Sequence, residues 1–306
     1  MTANAVTERR NEPVNGALVM QAAVIAFTVQ DAGMKWLLQS YALPELLAIR
    51  AGLVLVVVVA VLAVRRELRP TLRLSRPGPV FGRALLILGA FVCYFTALTH
   101  MPLADVVAIF FAAPLIQAAL SWPLLGEAVG WRRTLAAGVG FVGVVVMVGP
   151  AGALYGWPTL AAIGASVFYA GAMVWSRALG SHATPTQLAL ATNVAFFVAG
   201  GAITPFVWQT PTGFDAMLLV GIALLSFGAH VGLAAAYRLA PVAVVAPLDY
   251  TALPLAVALG VVIWGDWPTW GTVAGVPLVV GAGAYVVWRE RQVKRQHLGR
   301  GSPGPR

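Results

Sequence analysis

The chain has 306 residues, of which 59% are hydrophobic and only 10% charged, and its mean hydropathy is +0.83. A water-soluble domain carries about 25% charged residues, so the composition excludes a soluble globular fold and points to a chain that folds in a bilayer. The net charge of +9 is then better explained by orientation in a membrane than by nucleic-acid binding, and the single cysteine, Cys93, excludes an internal disulfide and offers no metal-site spacing.

Residues 1–16 form a mostly polar tail. The apolar segment after them is too long for a removed signal peptide and lacks a clear small-residue cleavage site. Apolar runs then recur at 17–38, 46–64, 80–99, 103–125, 132–149, 157–177, 185–206, 214–237, 241–264 and 269–288, before a basic tail at 290–306. Runs of roughly 20 residues cross ~30 Å of hydrocarbon as helices. Barrel strands would instead alternate apolar and polar residues with period two. The expected fold is therefore all-α and integral to the membrane, with ten transmembrane helices.

Positive charge supports this count. With the N-terminus inside, every Lys and Arg except Lys35 and Arg50 falls in a cytoplasmic segment or at a cytoplasmic helix end, and the outer loops have none. The expectation is a multi-pass protein of a bacterial inner membrane with both termini cytoplasmic. The linker "RRELRPTLRLSRPG" reads as an anchor beside anionic lipid in that bilayer.

The chain also repeats itself. "ALTHMPLADVVAI" from Ala97 aligns with "AAYRLAPVAVVAP" from Ala235 at a spacing of 138, and "GEAVGW" from Gly126 aligns with "GDWPTW" from Gly265 at 139. The unit holds five spans, an odd number, so its second copy enters the membrane upside down. Residues 17–149 and 150–289 are thus expected to be two inverted five-helix repeats, an arrangement common among secondary transporters.

The segments "PLADVVAIFFAAPLIQAALSWPLLGEAVGWRR" and "APVAVVAPLDYTALPLAVALGVVIWGDWP" resemble the drug/metabolite transporter superfamily, EamA type, over about residues 17–289. "GAHVGLAAAYRLAPVAVVAPLDYTAL" is similar to a proteobacterial subgroup associated with S-adenosylmethionine or riboflavin uptake. The resemblance implies a central cavity lined by spans 1, 3, 4, 6, 8 and 9. It also implies that spans 5 and 10 pack away from the cavity and support a homodimer.

Ionisable groups at membrane depth are costly and usually face a cavity or a partner. In span 8, His230 lies eight residues before Arg238, about 12 Å from the cytoplasmic end at 1.5 Å per residue. Asp249 lies eleven residues past Arg238 at similar depth, so the two can meet across a cavity. Asp249 would bind a cationic group or a proton, and His230 would donate to it or titrate with it. The structural alternative is a buried His–Asp tie between helices. Tyr250 and Thr251 follow Asp249, and one is expected to share its cavity.

In span 1, Asp31 and Lys35 stand four apart on one face and are expected to pair, unless Lys35 snorkels outward. Arg50 could pair with Asp31 or Glu45. Lys35 and Arg50 are expected to be structural or gating groups, and Asp31 a cavity group through the resemblance. Tyr94, Gln117 and Tyr169 lie near mid-depth and are cavity candidates. His100 and Asp105 read as solvated positions at the outer mouth, Trp157, Trp175 and Trp208 as interfacial anchors, and Asn193 as glue between helices. Pro114 and Pro254 should bend spans 4 and 9 and serve as hinges.

No GxxxxGK[ST], HExxH, paired CxxC or GxSxG is present, which argues against an enzyme. No cofactor or metal ligand set is expected. The expected partners are lipid, a small organic metabolite of cationic, zwitterionic or aromatic character, and a coupled proton or ion. Alternating-access transport is the leading expectation. A channel or a non-transporting receptor is the alternative, and within transporters a drug or amino-acid exporter is the alternative to uptake.

Overall fold

The computed structural model describes residues 13–125, 135, 138–146, 156–240, 242–282 and 285, and within these there are helices and no strands. Helices α1 (Pro13–Leu37), α2 (Leu43–Val64), α3 (Leu68–Leu72), α4 (Pro77–Leu98), α5 (Leu103–Phe110) and α6 (Ala113–Leu125) come first. Residues 138–146 are helical. After them come α7 (Trp157–Leu179), α8 (Pro185–Val207), α9 (Gly213–Leu239), α10 (Val242–Val245), α11 (Ala252–Trp264) and α12 (Trp270–Ala282).

Among the described residues, seven helical stretches are long and apolar enough to cross a membrane: α1, α2, α4, residues 103–121, α7, α8 and α9. Leu248–Trp264 and Trp270–Ala282 are shorter apolar helices at the ninth and tenth expected spans. Residues 132–134, 136–137 and 147–149 of the fifth expected span lie outside the described residues, as do most of the two tails and the "GEAVGW" motif. The chain is a multi-pass membrane protein. Its exposed surface fits that solvent, with Val56 69%, Phe197 48%, Val198 62% and Phe206 86% exposed along the bundle, as hydrocarbon-facing side chains should be.

Local sequence explains the helix ends. Proline stands in the first turn of α2, α4, α7 and α8, where its missing N–H is no loss. Thr184 and Gln187 form a capping box on α8: Thr184 Oγ1 accepts from the Gln187 N–H at 3.2 Å, and Gln187 Oε1 accepts from the Thr184 N–H at 2.9 Å. Gly265 closes α11 with φ at +72°, a left-handed conformation that glycine adopts without a Cβ clash.

Two expected continuous helices are interrupted. Span 4 breaks at Phe111–Ala112 between α5 and α6, and the segment before α11 tightens into a 3-10 stretch at Ala246–Thr251. Pro114 and Pro254 follow these breaks by a few residues, and both are exposed. Each proline lacks an N–H and crowds the carbonyl four residues back, so the strain falls on residues 110 and 250, at the interruptions.

Helices from early and late in the chain interleave: α1 packs along α9, α4 along α7, and α2 along α8. A core of Met34, Leu37, Phe95, Leu98, Leu103, Val106, Ile222 and Ala256 joins them. Small residues permit the closest contact. A Cβ added at Gly200 of α8 would meet the Pro44 carbonyl oxygen of α2 at 2.5 Å, the kind of small-residue contact that lets membrane helices approach.

At the end of the bundle opposite the basic 65–76 linker, polar ties cross between distant segments. Tyr41 donates to Asp215 Oδ2 at 2.7 Å, which holds its phenol above the usual range. Glu45 accepts from the Gln209 N–H at 3.3 Å. Asp105, expected to be solvated, is instead buried and accepts from the Thr269 N–H at 3.4 Å.

Candidate functional site

The interior holds two groups of polar side chains. The first joins α1, α2, α4 and α9. Asp31 accepts from the Tyr94 hydroxyl at 2.9 Å and from Gln30 Nε2 at 3.1 Å. Gln30 Oε1 in turn accepts from Arg50 Nη2 at 3.3 Å, and the same guanidinium nitrogen donates to Ser226 Oγ at 2.6 Å. The Arg50 guanidinium also lies over the Phe91 ring at 5.0 Å, a favourable cation–π placement. A carboxyl and a guanidinium are thus linked through an amide, and their charges act on each other at close range.

This arrangement corrects three expectations. Asp31 and Lys35 do not pair. Lys35 forms an ion pair with Asp266 at 2.9 Å, donates to the Met101 carbonyl at 3.0 Å and lies 4.9 Å from the Trp264 ring. Lys35 stands one helical turn from Asp31, and Asp266 offers it a second carboxylate just past the end of α11. Among the described residues Arg50 pairs directly with neither Asp31 nor Glu45: its Nη2 donates to Gln30 and Ser226, and its buried Nε has no hydrogen-bond partner. His230 does not pair with Asp249: its Nδ1 contacts the Ser226 carbonyl at 2.7 Å and its ring packs edge-on against Phe27 at 4.9 Å. Ser226, one turn earlier in α9, offers that carbonyl along the helix.

The second group surrounds the helix breaks. The Phe110 ring packs on Tyr94 at 5.3 Å and on Tyr169 at 5.1 Å. Phe111, at the first break, stacks tilted on Tyr250 of the second at 5.1 Å. Thr251 Oγ1 accepts from Gln21 Nε2 of α1 at 3.0 Å. Asp249 lies within electrostatic range of Tyr169, Tyr237 and Tyr250. Among the described residues no hydrogen bond or ion pair engages its carboxylate. The breaks therefore set one carboxylate beside a wall of rings, a combination that attracts a cation through charge and through ring faces.

Tyr94 links the two groups, with its hydroxyl on Asp31 and its ring on Phe110. Gln117, in α6, is half-buried, and its backbone carbonyl accepts from Ser121 Oγ at 2.8 Å. Asn193 bonds within α8, to the Ala189 carbonyl at 2.9 Å, and so does not act as glue between helices. Trp157 and Trp208 are exposed, as expected of anchors, and so is His100. Gln21, Gln30 and Ser226 went unremarked in the sequence, although each is a polar residue in an apolar run. No group of three or more potential metal ligands occurs among the described residues.

Residues 14–149 match the EamA-like transporter family. Over nearly its whole length the protein is similar to a riboflavin transporter of Vibrio cholerae serotype O1, with 26% identity over 298 residues, 94% of this chain and 98% of the relative. It is also similar to an S-adenosylmethionine uptake transporter of Rickettsia felis, with 23% identity over 233 residues, 74% of this chain and 78% of the relative. A protein of known crystal structure shares the fold of this chain at 20% identity, with a TM-score of 0.60, over 92% of this chain and 99% of that one.

Proposed function

We propose that this EamA-like protein is a secondary transporter that moves a small organic metabolite across a bacterial inner membrane by alternating access. The ring-lined region around Asp249, Tyr169, Tyr250 and Tyr94 is its binding site. Two inverted five-helix repeats, 17–149 and 150–289, rock about that region, with the breaks before Pro114 and Pro254 as hinges. The observation that carries the reading is the Asp249 carboxylate, which stands among aromatic side chains at a helix break without an ion-pair partner among the described residues. Uncompensated charge at membrane depth is expensive and is retained where it handles a ligand or an ion.

The names of the relatives suggest two compounds for a first test. S-adenosylmethionine offers positive charge to the carboxylate, and riboflavin offers a flat ring system to the aromatic wall. Purified protein in proteoliposomes should accumulate at least one of them above its external concentration, and an imposed pH gradient should change the rate if protons drive transport. Conductance without accumulation would turn the reading to a channel. Binding without movement would turn it to a receptor.

A further inference from the structure

Arg83, in α4, sits six residues past Pro77 and so about 9 Å into the helix at 1.5 Å per residue. Such a position normally marks a charge that reaches back to the lipid headgroups. The structure holds it inward instead. Its Nε donates to Ser176 Oγ of α7 at 3.0 Å and its Nη1 to Thr192 Oγ1 of α8 at 2.8 Å. Both hydroxyls spend their own protons on carbonyls of their helices, Ser176 on Ala172 at 2.7 Å and Thr192 on Leu188 at 2.8 Å, so each oxygen faces Arg83 as an acceptor.

These acceptors are neutral. The other interior cations have negative compensation: Lys35 has Asp266, and Arg50 has Asp31 acting on it through Gln30. Among the described residues no carboxylate lies within ion-pair distance of Arg83. A guanidinium carries five N–H donors in a planar fork suited to a carboxylate, and two protein acceptors leave Nη2 without a partner among the described residues. Asp249 is the matching case of opposite sign. The two do not pair with each other, yet both act electrostatically on Tyr169, twelve residues into the 23-residue helix α7 and so near mid-depth.

We infer that Arg83 is the anion-binding residue of this transporter, holding the carboxylate of a zwitterionic metabolite whose cationic end lies at Asp249 and whose body lies against Tyr169. The inference rests on the binding-site reading above and narrows it to ligands that carry both charges. A ligand of one sign would leave the other interior charge uncompensated, so the site discriminates by charge pairing as well as by ring contact.

Isothermal titration calorimetry on the purified full-length protein tests this with matched probes: S-adenosylmethionine against its decarboxylated form, tryptophan against tryptamine, and neutral riboflavin. In the unsubstituted protein the carboxylated member of at least one pair should bind at least tenfold more tightly than its decarboxylated partner. Arg83→Gln should erase that preference by weakening the carboxylated probe alone, and Arg83→Lys should keep part of it. Equal weakening of both members would make Arg83 a tie between helices and overturn the inference. An absent preference in the unsubstituted protein would overturn it without any variant. Carboxylated probes that bind as tightly to Arg83→Gln as to the unsubstituted protein would overturn it and leave the aromatic site standing, whereas binding of none of the five compounds would overturn both readings.

Discussion

The Asp31–Arg50 network and the Asp249–Arg83 region are built from the same residue types, a carboxylate, an arginine and tyrosines, but they solve opposite problems. In the first, an amide and a hydroxyl bridge the charges, so that α1, α2, α4 and α9 are drawn together. In the second, the carboxylate and the guanidinium both act electrostatically on Tyr169 without pairing, and neither forms an ion pair among the described residues. A compensated pair stabilises an arrangement of helices. Separated charges keep their attraction for something that enters from outside the fold, and this contrast sets a scaffold beside the proposed site.

Substitutions should separate the two regions by what they damage. Arg50→Met removes the charged donor that holds Gln30 and Ser226, and a hydrogen bond to a charged group is worth about 1.5–3 kcal/mol. Unfolding in detergent should show that loss, and a variant as stable as the wild type would remove the network from the scaffold. Tyr94→Phe deletes one hydrogen bond to Asp31 while keeping the ring on Phe110; a loss of about 1–2 kcal/mol is expected, with ring-dependent binding retained. Asp249→Asn should do the reverse. Transport should fall at least tenfold, about 1.4 kcal/mol, while the unfolding midpoint hardly moves; wild-type transport across the panel would take Asp249 out of the site. The smallest effect belongs to Lys35 and Asp266, a partly exposed pair. A double-mutant cycle with Lys35→Met and Asp266→Asn should give a coupling of about 1 kcal/mol.

Much of the helical layout was legible because a bilayer imposes one rule on every span: an uninterrupted apolar run of sufficient length. The runs at 46–64, 157–177 and 185–206 lie inside α2, α7 and α8 for that reason. The interruptions were only half legible. Pro114 and Pro254 announced a disturbance, but packing decides whether a helix bends or breaks, and Phe111 on Tyr250 is a contact between residues far apart in sequence. Lys35 shows the same limit, since its partner Asp266 lies 231 residues away and nothing local distinguishes it from Asp31. In the sequence Arg83 counts simply among the positive charges of the cytoplasmic segments and helix ends. Only the hydroxyls of Ser176 and Thr192, on two other helices, reveal that it points inward. Asp249, Tyr94 and Tyr169 were legible as polar or aromatic residues at mid-depth, whereas the Asp249–His230 pairing failed because Ser226 supplies a nearer acceptor.

The ring pair at the two helix breaks has a further consequence for affinity. Phe111 and Tyr250 already satisfy one another, and an offset aromatic contact of this kind is worth about 0.5–1.5 kcal/mol. A flat ligand that slides between them must compete with a rival tethered in place at fixed effective concentration, so its measured dissociation constant understates its intrinsic fit by up to roughly tenfold. The same competition favours release: once the ligand begins to leave, the rings can close behind it.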